Sequence, residues 1–432
     1  MTGHALDSLE GLASSILEET CRRGSTVELF LKRTCWEQTI HQEGIRRTQS
    51  SGIETGCAIR VLHPNGRYLF HHTSDPDPVR IRRAIETAAE VPAVARPAVF
   101  DPNCLPTEPV GPAGRKPDHS PPFPLGGDEF LRMAEESARR AEQSIGSVPL
   151  AMCTDGETEI WLGNSMGLRG SYRRTLRHVV LGLTCRDGGG VRYHRAATAL
   201  PGRLSPERIG REAAQRSAWP FRQPARIRGR VRLLLSPPAA AEWVRLLAPR
   251  WRREFRVGDR IGPDSFDLMD DGTFPGGILT APFDGEGWPT ERRILVSRGV
   301  VRERIPAGKV KGNQIRDSFR HPPRTHFTNH FLAPGRLRTE ELFREASGGI
   351  LVLNLRPSIP SGIGGENGDL EISGCAVERG APAGGIRSAH LKGGRDKILA
   401  AIVERGTDLR FYPLDGSFGS PSLLLEGMEL TS

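Results

Sequence analysis

Glu157-Thr158-Glu159-Ile160-Trp161-Leu162-Gly163-Asn164-Ser165-Met166-Gly167-Leu168-Arg169-Gly170-Ser171-Tyr172-Arg173-Arg174-Thr175 decides between two folds. Its centre, Gly163–Gly167, matches G-x-S-x-G. In a serine hydrolase that pattern is an elbow, where a strand turns sharply into a helix and exposes the Ser hydroxyl. Here the residues after the turn include Gly170 and read as a second strand, so a hairpin explains the pattern and Ser165 is not a nucleophile. A further β-prone stretch, His178–Thr198, follows, with its own turn at Asp187-Gly188-Gly189-Gly190. Helical spacing flanks this block on both sides. Asp128–Gln143 precedes it, and residues 206–218 follow it, opened by Ser205 as N-cap and Pro206 at the first helical position.

Further out, residues 5–22 place Leu6, Leu9, Leu12, Ala13, Ile16 and Leu17 at three- and four-residue steps, which is an amphipathic helix. Val27–Arg33 reads as a strand, residues 35–48 as a second and more polar one, and residues 78–90 as a helix. Pro64-Asn65-Gly66 between β-prone runs reads as a tight turn. Ten prolines fall between Pro92 and Pro124; proline lacks the amide donor and disfavours helix before it, so this is an extended connector. After the strand Arg230–Leu235 and a helix opened by Ser236-Pro237, the chain breaks into short β-prone runs, among them Gly277–Pro282, Thr325–Leu332 and Asp369–Val377. Helices at Thr339–Ala346 and Arg395–Val403 interrupt them. The expected class is α+β. An α/β N-terminal part, with an antiparallel sheet and flanking helices, precedes a mostly antiparallel β domain. The expected segments are 1–95, a connector 96–125, 126–222 and 223–432.

The chain has 432 residues with 60 Lys+Arg against 51 Asp+Glu, and only 6 of the 60 are Lys. The resulting +9 charge is spread along the whole chain without aromatic interleaving, so nucleic-acid binding is not expected; the Arg bias reads as that of a GC-rich coding sequence. No run approaches the length of a membrane span. The acidic, amphipathic start is unlike a secretory signal, so a cytoplasmic protein is expected. Seven scattered cysteines, with no C-x-x-C, argue for reduced thiols rather than a disulfide framework.

Several motifs suggest chemistry. His326 and His330 lie four apart, with His321 nearby. On a helix that spacing could hold zinc, but prolines bracket the stretch and it reads as a strand, where four residues span roughly 13 Å. Gly362–Asp369, with Gly364, Gly365 and Gly368, lacks the glycine spacing and the strand–helix frame of a dinucleotide loop. Asp284 and Glu286 stand one residue apart between glycines. They could share a face and do acid–base work, or sit in a capped turn.

Five segments together resemble one family. Asn164–Arg174 is similar to the "NS-x-G-x-x-GSY-x-R" hairpin of the TldD/PmbA family. Thr280–Gly287, with Thr290 and Arg292-Arg293, resembles the "TPFDSEG-x-x-T-x-RR" stretch of its PmbA (TldE) branch. Thr328–Gly335 resembles "TNxxLxPG", Asn367–Gly380 resembles "GDFSxGASGFWIENG", and Gly419–Gly427 resembles "GxPSLLIxGL". The likeness runs over about residues 25–430. It implies a TldE-like chain that pairs with a TldD-like subunit. That subunit would carry Zn through an H-E-x-x-x-H helix and a late Cys, and the pair would cleave short or unfolded peptides. The motif helix would begin after Leu235, where this chain reads Ser236-Pro237-Pro238-Ala239-Ala240-Ala241-Glu242-Trp243. The late Cys would precede Gly419, where Tyr412–Phe418 contains none.

The resemblance therefore implies a metal-free, non-catalytic subunit with Zn in the partner. Asp284, Glu286, Asn329, His330, Gly364, Gly365 and Asp369 are its expected peptide-cleft residues. Two alternatives remain: a homo-oligomeric binding or scaffold protein, or an enzyme repurposed for peptide natural products that uses the His321/His326/His330 group or Asp284/Glu286.

Overall fold

The computed structural model describes residues 4–22, 26–62, 67–90, 96–97, 106–107, 123–186, 190–200, 203–225, 229–306, 310–358, 369–391 and 393–430. The Pro64-Asn65-Gly66 turn, most of the proline connector and the Gly362–Gly368 loop lie outside them.

The first half is one sheet with helices on it. Strands β1 (Thr26–Gln42), β2 (Ile45–Leu62), β3 (Arg67–Thr73), β4 (Arg96–Pro97), β5 (Ile145–Asn164), β6 (Arg169–Cys185) and β7 (Arg192–Thr198) lie in the order β4-β3-β2-β1-β5-β6-β7. Every pairing is antiparallel. Strands from before and after the proline connector meet at β1 and β5, paired from Glu28↔Asn164 to His41↔Ala151. The polar stretch from residue 35 is not a separate strand. It continues β1 to Gln42, where Glu43 and Gly44 reverse the chain with φ of 51° and 75°.

Helices α1 (His4–Arg22) and α2 (Pro78–Glu90) pack Ile16, Leu17, Ile81 and Ile85 against the odd-numbered face of β1 and β2. Helices α3 (Gly127–Ala141) and α4 (Pro206–Ala218) cover β5 and β6. These two helices cross closely at Gly210, where an added Cβ would stand 2.0 Å from the Ala134 carbonyl oxygen.

The second half begins with β8 (Arg230–Leu235) and α5 (Pro237–Arg253), and continues through β9 (Leu268–Asp271), β10 (Arg292–Ser297), β11 (Val300–Val301), β12 (Gln314–Ile315), β13 (Arg324–Thr325) and β14 (Asn329–Leu332). It ends with α6 (Thr339–Glu345), β15 (Ile350–Pro357), β16 (Leu370–Glu378), β17 (Ala381–Leu391), α7 (Gly394–Ala401), β18 (Ile402–Arg405), β19 (Arg410–Pro413), β20 (Ser417–Ser420) and β21 (Leu423–Glu429). Two six-stranded sheets result, β11-β10-β9-β14-β20-β19 and β17-β16-β15-β8-β21-β18. Most pairings are antiparallel, but β14 with β20 and β15 with β8 are parallel. Trp243, Leu247 and Trp251 of α5 fill the core between them. The class is α+β, with a strand-rich C-terminal half. Gly277–Pro282 is not a strand: it is a series of turns tied down by Asn329. Among the described residues no helix is long and apolar enough to cross a membrane.

Candidate functional site

Val27-Glu28-Leu29-Phe30-Leu31 is buried on both faces, apolar at every position but Glu28. Its odd residues meet α1 and α2. Its even residues face the C-terminal half, where Phe30, Ala58, Ile160 and Leu162 meet Phe283 and Phe319. Glu28 sits in this apolar seam with no exposure. Arg60 donates to it, and Arg316 Nη1 donates to its second oxygen at 2.8 Å. Arg60 also makes a bidentate pair with Glu286, at 2.8 and 2.5 Å. The guanidinium of Arg316 lies 4.2 Å over the Phe30 ring. Two acids and two arginines thus join the halves, with Arg60 and Arg316 2% and 0% exposed at the side chain. Burial alone would push Arg60 down, but Glu28 and Glu286 outweigh it and hold it above its ordinary value.

The structure places the expected cleft residues as follows. Glu286 belongs to this ion cluster. Asp284 is buried and caps its own turn: Oδ1 accepts from Glu286 N at 2.9 Å and Trp288 N at 3.0 Å, and Oδ2 accepts from Gln314 N at 3.1 Å. Burial raises it to about 7 despite those donors. Asn329 is fully buried and holds the 272–280 turns, donating to Asp271 O at 2.8 Å and accepting from Leu279 N at 2.9 Å. His330 is fully buried, stacked on Phe327 at 4.0 Å. His321 is half-exposed beside Asp317. Among the described residues no three His, Cys, Asp or Glu side chains converge as metal ligands. Asp369 accepts from Gly393 N at 2.6 Å, and its carbonyl accepts from Ser358 N at 3.1 Å. Gly364 and Gly365 lie outside the described residues. Asp284, Glu286, Asn329 and His330 thus brace the C-terminal half and its seam with the first sheet.

The Gly163–Gly167 segment is the hairpin turn expected, with Gly163 opposite Arg169. Asn164 organises it: Oδ1 accepts from Met166 N and Leu168 N, and Nδ2 donates to Pro106 O. Ser165 Oγ accepts from Val27 N at 3.0 Å. Ser165→Ala therefore leaves a buried N–H unpaired and should cost about 1–3 kcal/mol. Urea denaturation reads that loss, and a cost below the lower figure would contradict this role.

A site does form at the seam between α4, β7 and β19. In α4, Arg208, Glu212 and Arg216 recur at four-residue spacing, so they share one face, beside the buried Ile209 and Ala213. The stripe meets His194 from β7 and Arg410 from β19. Arg216 donates to His194 Nδ1 at 2.9 Å. Arginine has no acceptor, so His194 is the Nε2–H tautomer. Glu212 pairs with Arg410, and its other oxygen stands 3.7 Å from His194 Nε2. Burial, then Arg216, Arg410 and Arg208, hold His194 well below its ordinary pKa, so the ring is neutral.

A cavity of about 610 Å³ lies on one side of the Glu212–Arg410 pair, walled by Trp219, Leu234, Pro237, Phe343 and Leu351. A second, of about 480 Å³, lies on the other side and is bordered by β7 and β19. Both volumes suit a small ligand. These residues were missed in the sequence because a helical Arg/Glu/Arg stripe reads as a solvated face.

Two family models cover most of the chain. The PmbA/TldA metallopeptidase central domain matches residues 118–219, and the C-terminal domain of the same family matches residues 251–432. The chain belongs to the TldD/PmbA family of metallopeptidases. Among relatives, a metalloprotease of Methanothermobacter thermautotrophicus is 21% identical over 411 residues, 86% of each chain. The metalloprotease TldD homolog of Buchnera aphidicola subsp. Schizaphis graminum is 23% identical over 162 residues, 36% of this chain and 34% of that one. The match thus spans about a third of that relative's length. The fold is that of TldE from Thermococcus kodakarensis, with TM-score 0.82, 19% identity and coverage of 97% and 100% of the two chains. A putative modulator of DNA gyrase from Thermotoga maritima gives 0.77 at 19% identity, over 98% of this chain and 100% of that one.

Proposed function

We propose that this TldD/PmbA-family chain is a TldE-type subunit that holds no zinc itself. It would assemble with a zinc-bearing TldD-type chain into a peptidase acting on small or unfolded peptides, in the cytoplasm. The observation that carries this is the donor chemistry at α5. Catalytic zinc needs three protein N, S or O ligands and an open position. The helix opens with Pro237, Pro238 and three alanines, its Glu242 is paired with Arg245, and Trp243 is buried in the core. Beside it, β20 and the preceding residues Tyr412–Gly416 offer no Cys. These residues do not fit a zinc ion, so no hydrolytic step is assigned to this chain. Its own contribution would be to seat the peptide, with main-chain pairing at a sheet edge accepting many sequences.

Co-expression with a TldD-type chain should give one co-eluting complex that degrades an unfolded peptide, with activity lost to a chelator and restored by zinc. The isolated chain should be inactive. A stable homodimer indifferent to that partner, or one zinc bound per isolated chain, would overturn the proposal.

A further inference from the structure

The cavity of about 480 Å³ between β7 and β19 is lined by polar groups that lack a hydrogen bond, two of them facing the Glu212 carboxylate at 3.7 Å (His194 Nε2) and 3.9 Å (Arg208 Nε). His194 Nε2, Tyr412 Oη and Arg208 Nε are buried and make no hydrogen bond among the described residues. All three belong to residues that line this one cavity. His194 and Tyr412 are only 2% and 5% exposed. Leaving a buried donor unpaired costs free energy, so three at one place mark a site whose partner is another molecule.

All three are donors: the Arg216 contact fixes His194 as the Nε2–H tautomer, and the tyrosine and guanidinium carry their own hydrogens. The acids nearby are already engaged. Glu212 pairs with Arg410, and Asp408 accepts from Ser422 N at 2.8 Å and Ser422 Oγ at 2.7 Å. The cavity is thus rich in donors and short of acceptors. Its remaining wall is apolar, formed by Leu200, Leu204, Ile209, Phe274 and Phe411. The strands on either side, β7 and β19, are terminal members of two different sheets.

We propose that this cavity binds the free α-carboxylate of a peptide whose last side chain is apolar. The carboxylate offers several lone pairs to the three donors, and the side chain covers the apolar wall. Inorganic phosphate would satisfy the donors but leave that wall empty. The proposal deepens the peptidase-subunit reading and rests on it for the choice of a peptide as ligand.

Calorimetry on the full chain with the tripeptide Ala-Ala-Leu, its C-terminal amide and inorganic phosphate tests it. The free acid should bind, and the amide should bind at least about tenfold more weakly. Tyr412→Phe and Arg208→Gln should each weaken the acid by a similar factor. Tyr412→Phe should leave the unfolding midpoint unchanged or raise it, because the hydroxyl it removes makes no hydrogen bond among the described residues. Equal binding of acid and amide, phosphate competing as tightly as the peptide, or no binding at millimolar peptide would each overturn the site. A chain that fails here yet still assembles with a zinc-bearing partner loses the carboxylate site alone. A chain that binds the acid but ignores that partner loses the subunit reading instead.

Discussion

Glu28→Ala is expected to lower the unfolding free energy by about 3–5 kcal/mol, because it removes one partner from a buried ionic cluster. Glu28 takes hydrogen bonds from both Arg60 and Arg316, and all three side chains are essentially inaccessible. Without it, two guanidinium groups face each other in an apolar seam with only Glu286 between them. Arg316 suffers more. Burial, first, and the like charge of Arg60 already hold it below its ordinary pKa, and Glu28 is the carboxylate it pairs with. Glu286→Ala should cost less, since Arg60 keeps Glu28. Replacing the whole cluster with apolar side chains of similar volume should be far milder than either single change, because no charge is then stranded. Urea denaturation of the three variants provides the ranking. A loss below about 1 kcal/mol for Glu28→Ala, the range of an exposed pair, would mean that water reaches the cluster.

This cluster shows where the sequence was legible and where it was not. The helices were readable because each has a 3.6-residue stripe and local end signals, such as Ser205 accepting from Arg208 N at the start of α4. The hairpin at Gly163–Gly167 was readable because its turn and both strands are contiguous. The β1–β2 reversal at Glu43-Gly44 was obscured by a polar stretch that belongs to one long strand extending beyond the packed region. Asp284 and Glu286 drew notice as a close acid pair, and the spacing does bring them together, with Glu286 N donating to Asp284. What their spacing could not reveal is that Arg60, over two hundred residues away in the chain, completes Glu286. The seam of His194, Glu212, Arg216 and Arg410 was hidden for the same reason. Each residue looks like surface until β7, α4 and β19 are brought together, and no local pattern encodes that meeting.

Raising the pH from 5 to 8 should destabilise the wild-type chain relative to Asp284→Asn, and the cause is a contest at one carboxyl. Burial favours the neutral acid, three backbone N–H donors favour the carboxylate, and the nearby Glu286 opposes it; burial prevails and holds Asp284 at about 7. The unfolded chain titrates near 3.8. Between these values the folded state binds a proton that the unfolded state has lost. Stability from this group is therefore present at low pH and declines as pH rises toward about 7. The linkage relation makes the loss about 2–3 kcal/mol between pH 5 and 8. Asp270 is buried and raised to about 7 as well, so the wild-type slope contains both groups. Asp284→Asn removes one of them and leaves Asp270 and the depressed His194 in place, so the difference between the two curves isolates Asp284. The variant carries a fixed penalty, because its amide N–H₂ meets the Gln314 N–H where the carboxylate accepted it. That penalty offsets the curves without tilting them. Denaturation midpoints at half-unit pH steps should therefore converge, or cross, as pH rises. Parallel curves would show that Asp284 stays ionised throughout and that the three N–H donors outweigh burial.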